Sequence, residues 1–341
     1  MSCTTVSTTN RLRLWVLAGG RCEYRGCNEQ LWRDDKTLES MNKAYVAHVV
    51  ADSPDGPRGD PLRSTQLADK LSNLMLLCDE CHRRIDVADV AGHPEDLLLE
   101  HKREHEARIE TLTAIRPDLR THVLTFIANI GSRKPVIDRD DVLQAIVPAR
   151  HPAPRLLEID LTRMVRSDDD PAYWQQMRDE VEKQLELLLQ PATGVKHLSV
   201  FAIAPIPVLI AFGRKLGDIR EVEVFQKFRA GHPWRWREQA SHVFCEETPD
   251  FHANHEDVAV ALSISGDVHP TEISKALGRA VPIYALRLKE PGFDTISTPG
   301  ALREFLGKWR GLLTRMRSAH GENCRVNLFP AVPNSVAVEV G

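Results

Sequence analysis

The apolar positions of this chain follow two rhythms. In the C-terminal part, short continuous apolar runs alternate with amphipathic stretches, which predicts strands over 156–161, 197–204 and 221–228, then over 257–263, 283–288 and 325–329. Helices over 171–190, 206–216, 271–277 and 299–318 separate most of these strands, and Gly278 stands where the third helix should stop. Continuous apolar strands joined by helices imply parallel sheets covered on both faces, here in two βα halves.

The N-terminal third is patterned differently. A β-branched stretch over 45–50 predicts a strand, and the Pro- and Gly-rich stretch 53–59 a loop. The apolar run 71–77 leads into Cys78, and 81–86 has the composition of the first turns of a helix. A longer helix is expected over 94–115, with Leu97, Leu98, Leu99, Ile109 and Leu112 as its apolar stripe and Arg116-Pro117 as its end. His101 and His105 share a side of that helix among Lys102, Arg103 and Glu104, which predicts a solvated face. A strand over 121–130 and a helix over 138–146 follow, and Pro148, Pro152 and Pro154 mark a boundary. The pattern divides the chain into a domain over 1–118, a connecting strand and helix over 119–152, and a second domain over 153–341.

Composition narrows the class. With 341 residues, 42% hydrophobic and 27% charged, the chain is long enough for two ordinary globular domains. A formal charge of −4 excludes a globally basic surface, so any grip on nucleic acid must be a local patch. No apolar run reaches the roughly 20 residues of a membrane span, and the longest, over 200–212, is broken by Pro205 and Pro207. No leader-like stretch precedes the first cysteine pair, and the expected location is the cytoplasm.

Candidate chemistry concentrates in the first hundred residues. Cys22 with Cys27 and Cys78 with Cys81 have the spacing of zinc knuckles, with Gly26 placed for a tight turn. A structural Zn2+ is the expected occupant, and two disulfides are the alternative. Cys3, Cys245 and Cys324 lack partners at ligand spacing and are assigned to packing or surface. Between the pairs lie His48 and Asn73, and His82 directly follows the second pair. His82 and Asp86 stand four apart, so a helix would bring imidazole and carboxylate together over one divalent ion. Arg58, Arg83 and Arg84 could clamp a phosphate, with Arg58 the best placed because Gly-Pro-Arg-Gly fixes a turn.

These residues together resemble the HNH endonucleases, over roughly the first hundred positions. The resemblance implies a ββα-metal fold with His48 as general base, Asn73 orienting it, and His82 with Asp86 holding a catalytic Mg2+ or Mn2+. Many relatives have an aspartate before the base, where this chain has Ala47. The alternative for the whole cluster is a zinc ribbon that binds without chemistry.

In the second domain, parallel sheets would bind ligands where strands end and helices begin. Two loops qualify, one with Pro205 and Pro207, the other with Ser263 and Ser265. Neither has a phosphate-loop or dinucleotide fingerprint, which argues against an ordinary nucleotide triphosphatase or dehydrogenase. Lys227, Arg229, Trp234 and Trp236 interleave cations with aromatic planes, a pattern suited to stacking bases or to packing under a sheet. The runs 197–207, 260–265 and 328–333 resemble SAVED domains, sensors related to CARF domains and built of two Rossmann-like halves.

HNH followed by SAVED resembles effector endonucleases of CBASS anti-phage systems. That resemblance implies activation by a cyclic dinucleotide of the cGAMP kind, assembly from dimer to tetramer, and metal-dependent cutting of double-stranded DNA with little sequence preference. The alternatives are an HNH restriction endonuclease reading modified DNA, disfavoured by the absence of a strongly basic C-terminal half, and a zinc-ribbon regulator without enzymatic activity.

Overall fold

The computed structural model describes residues 6–164, 170–190, 194–217, 220–237, 244–247 and 255–341. Cys3 and the Cys245 side chain lie outside that description. The chain forms two compact units, Met1–Arg116 and Pro117–Gly341. No described helix is long and apolar enough to cross a membrane.

In the first unit, helix α1 (Thr8–Leu17) starts where the Ser7 hydroxyl accepts the Asn10 amide. Strand β1 (Tyr45–His48) pairs antiparallel with β2 (Leu74–Leu77), matching His48 to Leu74. The short α2 (Ser64–Leu67) lies between them in sequence. Helix α3 (Asp79–Arg83) runs on into a wider π-helical turn over Arg84–Ala88, and α4 (Glu95–Thr113) closes the unit. Every side chain of β2 is buried, together with Leu14, Leu31, Ile85 and Leu98, in a core that includes three of the paired cysteines. A metal bound by those cysteines would therefore sit within the core and tie its elements together.

The second unit contains β3 (Arg120–Ile127), α5 (Arg139–Ile146), β4 (His151–Pro152), β5 (Leu157–Asp160), α6 (Pro171–Leu188), β6 (His197–Ile203), α7 (Ile206–Leu216) and β7 (Glu221–Phe225). It continues with β8 (Phe244–Glu247), β9 (Asp257–Ser263), α8 (Pro270–Leu277), β10 (Ile283–Leu288), α9 (Pro299–His320), β11 (Arg325–Ala331) and α10 (Asn334–Val340). The first sheet is parallel in the order β4-β3-β6-β7, with β5 on the same side of β3 as β4. The second runs β11-β9-β10-β8, parallel except for β8. Gly278, at φ +66°, ends α8 as its position in the sequence predicts.

Two expectations change here. The segment over 119–152 is not a connector: β3 is an inner strand of the first sheet, bonded to β5 on one side and β6 on the other. The antiparallel β8 lies outside the predicted strands. One apolar cluster joins both sheets, from Leu124 and Phe126 through Val200 and Phe212 to Val260 and Phe305. Helix α10 lies so close on α7 that a Cβ at Gly213 would stand 1.8 Å from the Val338 carbonyl oxygen.

Candidate functional site

The turn at Gly26, φ +84°, and the start of α3 bring the paired cysteines together. The four sulfurs of Cys22, Cys27, Cys78 and Cys81 lie within 4.8 Å of one another, and all four are free cysteines. The Cys78 amide points at the Cys22 sulfur and the Cys81 amide at the Cys78 sulfur, both at 3.4 Å. Such N–H groups stabilise thiolates. Burial pushes the Cys22 thiol up to about 12 and also raises Cys78 and Cys81, so the buried thiolates need a cation among them. The donor set and the spacing fit a structural zinc.

His48 ends β1, half-buried, with Nε2 2.9 Å from the Ala68 carbonyl oxygen. A carbonyl only accepts, so Nε2 carries a hydrogen, and it is Nδ1 that would offer a lone pair in the neutral ring. Asn73 does not touch His48. Its side chain is buried, accepting from the Val50 amide and donating to the Val50 carbonyl, each at 2.8 Å, and to the Leu67 carbonyl at 3.3 Å. It thereby pins the strand end on one side and the chain next to Ala68 on the other, which orients His48 indirectly.

Arg58, expected at a phosphate, is bound inside the unit. Its guanidinium donates to the Val49 carbonyl at 2.6 Å, the Ile85 carbonyl at 2.7 Å and Asp86 Oδ1 at 2.6 Å. With 8% of the side chain exposed and these three bonds made, the guanidinium is turned inward instead of being held out to solvent. Asp86 is likewise engaged, since its second oxygen meets His82 Nε2 at 3.1 Å. Burial would raise this carboxyl, but hydrogen bonds from His82 and Arg58 and the Arg58 charge hold it below the ordinary value. The expected pair of metal ligands is therefore a pair bonded to each other. His82 also stacks on Tyr45, ring centroids 4.8 Å apart. Strand alternation puts Ala47 on the side of Tyr45, towards His82, where it offers only a methyl group. Among the described residues, the cysteines form the single group of three or more metal-ligating side chains. A complete second protein-made metal centre does not fit this arrangement.

Arg83 and Arg84 pair with Asp79 and Glu80 of their own helix. His101 and His105 are buried rather than solvated, His105 Nε2 bonding the Ala18 carbonyl at 2.9 Å and His101 packing edge-on against Tyr24. Charged neighbours in sequence hid a face that α4 turns towards the knuckle.

In the second unit, a cavity of about 660 Å³ opens beyond the carboxyl ends of β6, β7, β9 and β11. Pro205 and Pro207, Lys227 and Arg229, and Ser265 all line it, so both predicted loops reach one site. Burial lowers Lys227 from its ordinary value, opposed by the charges of Asp141 and Asp138. The Arg229 guanidinium lies 3.5 Å from the centre of the Phe293 ring, an exposed aromatic on the cavity wall. Asp294 beside it accepts from Arg237 at 2.8 Å and from the Arg229 amide at 3.3 Å.

Three candidates do not line the cavity. Ser263 is buried and its hydroxyl accepts the Val268 amide at 3.0 Å, closing its own loop. Trp234 is fully buried with Phe201 edge-on at 5.2 Å. Trp236 packs against Phe225 and Phe228. The alternation of cations and tryptophans is thus mainly a core pattern, in which Trp234 supports the Lys227 ammonium at 5.1 Å. Phe293, Asp294, Gln226 and Asn334 line the cavity without having been singled out from sequence. The available signal was Phe293, an aromatic placed in a Pro- and Gly-containing loop.

Residues 181–341 match the family model of the SMODS-associated and fused to various effectors sensor domain, SAVED. No curated protein matches the chain. Among solved structures, the Acinetobacter baumannii Cap4 SAVED/CARF-domain receptor with the cyclic trinucleotide 3'3'3'-cAAA aligns at TM-score 0.42 and 11% identity, covering 82% of this chain and 56% of the receptor. The receptor described without a nucleotide aligns at 0.39 and 11%, covering 82% and 54%. With 2'3'3'-cAAA the values are 0.38 and 12%, covering 82% and 56%. The chain thus spans little more than half the length of these receptors. It carries a sensor domain whose matched span starts within α6, although the first sheet also uses β3, β4 and β5.

Proposed function

We propose that this chain is a ligand-gated endonuclease of anti-phage defence. A cyclic dinucleotide of the cGAMP kind is sensed by the second unit, and double-stranded DNA is cut by the first with little sequence preference. The observation that carries the sensing half is the cavity at the carboxyl ends of four strands, lined, apart from Ile130, by residues matched to a sensor family. Its walls suit a phosphodiester ring: Lys227 and Arg229 face the charge, and the Phe293 ring offers a plane to a base.

The nuclease reading rests on the hairpin and helix built around the cysteine cluster, with His48 at the strand end. His48 Nδ1, set free by the Nε2 hydrogen bond to Ala68, would take the proton from the attacking water. Asn73 would hold the strand end in place. For the divalent cation this reading requires, His82 Nδ1 would be the one open nitrogen of the expected ligand pair, since Nε2 is spent on Asp86. Activation would proceed through a ligand-favoured homo-oligomer, dimer to tetramer.

Plasmid cleavage with magnesium or manganese, titrated with a panel of cyclic di- and trinucleotides, tests the reading. Near silence without ligand and cutting with one of them is expected. The His48→Ala protein should keep its zinc and lose at least about a hundredfold in rate. Equal cleavage with and without every ligand removes the gating, and full activity in His48→Ala removes the catalytic assignment. The engagement of Asp86 with Arg58 and His82 favours a second reading, a zinc-stapled regulator that binds DNA without cutting. It requires intact DNA after prolonged incubation with metal and activator.

A further inference from the structure

Helix α9 presents a solvent face that is strongly basic along its whole length. Its 22 residues bury Leu302, Phe305, Trp309, Leu312 and Met316. The exposed side carries Arg303, Lys308, Arg310, Arg315 and Arg317 against a single acid, Glu304. Arg303, Arg310 and Arg317 recur every seven residues and so run along one edge of that face, about 21 Å from first to last. Their guanidinium groups make no hydrogen bond or ion pair among the described residues, although Glu223 and Glu339 feel the charges of Arg303 and Arg310. Lys308 and Arg315 form a second row on the opposite edge.

Between the rows lie Glu304 near the helix start and then Gly307, Gly311, Thr314 and Ser318, so beyond the first turn and a half the middle of the face carries only small side chains, with the Arg315 guanidinium reaching over Gly311. A glycine inside a helix weakens it relative to alanine. No packing contact demands either one: a Cβ at Gly307 would meet nothing within 4 Å, and one at Gly311 would meet only the Arg315 side chain. The two glycines clear a path between two rows of cations.

We infer that the α9 face is a docking strip for the sugar-phosphate backbone of duplex DNA, separate from any catalytic centre. A second copy of the same helix would set like charges against each other. A single strand would lack the stacking planes it prefers, because Trp309 points into the core. A duplex backbone matches both the sign of the charge and the length of the strip. Its contribution is sequence-independent holding of DNA, which goes beyond the proposed function and needs no cleavage to be observed.

The test is duplex binding by the full chain without added magnesium or manganese, titrated with salt. Combined Arg303→Ala, Arg310→Ala and Arg317→Ala should weaken binding tenfold or more at low salt. The slope of log affinity against log salt should become shallower by about 2.7, roughly 0.9 for each lost phosphate contact. Gly307→Gln with Gly311→Gln keeps every charge; it should raise the melting temperature while lowering DNA affinity, opposite signs that a purely structural role would not give. Unchanged affinity and slope in the arginine variant, with its melting temperature retained, overturns the inference. So does equal or tighter binding of a single strand of the same length, or no duplex binding by the unaltered chain.

Discussion

Arg58 shows how far a residue's role can lie from what its neighbours in sequence suggest. Its turn suggested a cation held out to a phosphate, yet its donors end on Val49, Ile85 and Asp86. Those acceptors come from separate parts of the chain, so the tie was invisible before the fold was known. Arg58→Ala would take the donor from one oxygen of the half-buried Asp86 carboxylate, leaving His82 on the other, and from two carbonyls, and should destabilise the first unit by about 3 kcal/mol in denaturant titrations. His197 has an equally specific consequence in the second unit. It is buried, with Nδ1 2.8 Å from the Thr121 hydroxyl, and burial, helped by the Arg150 charge, lowers its pKa to about 4. The unfolded chain takes up this proton near the ordinary value of about 6.5, whereas the folded chain resists it until about 4. The contribution is therefore complete above pH 6.5 and lost as pH falls towards 4, about 2 kcal/mol by pH 5. A His197→Gln protein should show a flatter melting temperature between pH 7 and pH 5, whereas an unchanged slope would move the effect to another group.

Among elements, those with a strong period of their own were legible and those defined by partners were not. The strands β6 and β9 read directly from apolar runs, because strands buried on both faces leave little room for polar residues, and β10, with alternate positions buried, kept enough apolar residues to be read as well. Strand β3 was equally clear as a strand, but the prolines at 148, 152 and 154 drew the domain boundary after it instead of before it. Those prolines lie at the short β4 and its flanks, on the outer side of β3, where a missing amide costs little. In the first unit, residue types and spacing predicted the grouping of the four cysteines, but could not tell that Asp86 and His82 would spend polar atoms on each other. The packing of α10 on α7 was also hidden, since it depends on one hydrogen atom at Gly213. Gly213→Ala would drive a methyl group into the Val338 carbonyl and should free α10, seen as faster amide exchange over Asn334–Val340 and a lower melting temperature.

For the whole molecule, each unit has its own core, one of them built around the cysteines, and this makes the proposed gating measurable. Zinc removal should unfold Met1–Arg116, whose small core is built around the cysteines, and leave Pro117–Gly341 with its own apolar core intact. Calorimetry should then lose one transition and keep the other. An activating nucleotide should raise the surviving transition, by about 2.7 kcal/mol of stability at a hundred times its dissociation constant. A silent enzyme has an additional requirement. If the first unit holds the ligand-free chain in an inactive arrangement, the sensor is binding-competent only part of the time, and its apparent affinity falls by that fraction. Unfolding the first unit removes the restraint, so the zinc-stripped chain should bind the nucleotide more tightly than the intact one, with each tenfold change marking about 1.4 kcal/mol of coupling. Equal affinities would mean that sensing and cutting share a chain without sharing free energy. Control would then have to come from ligand-bound copies gathering on DNA, a route that predicts activity rising steeply with protein concentration at saturating ligand.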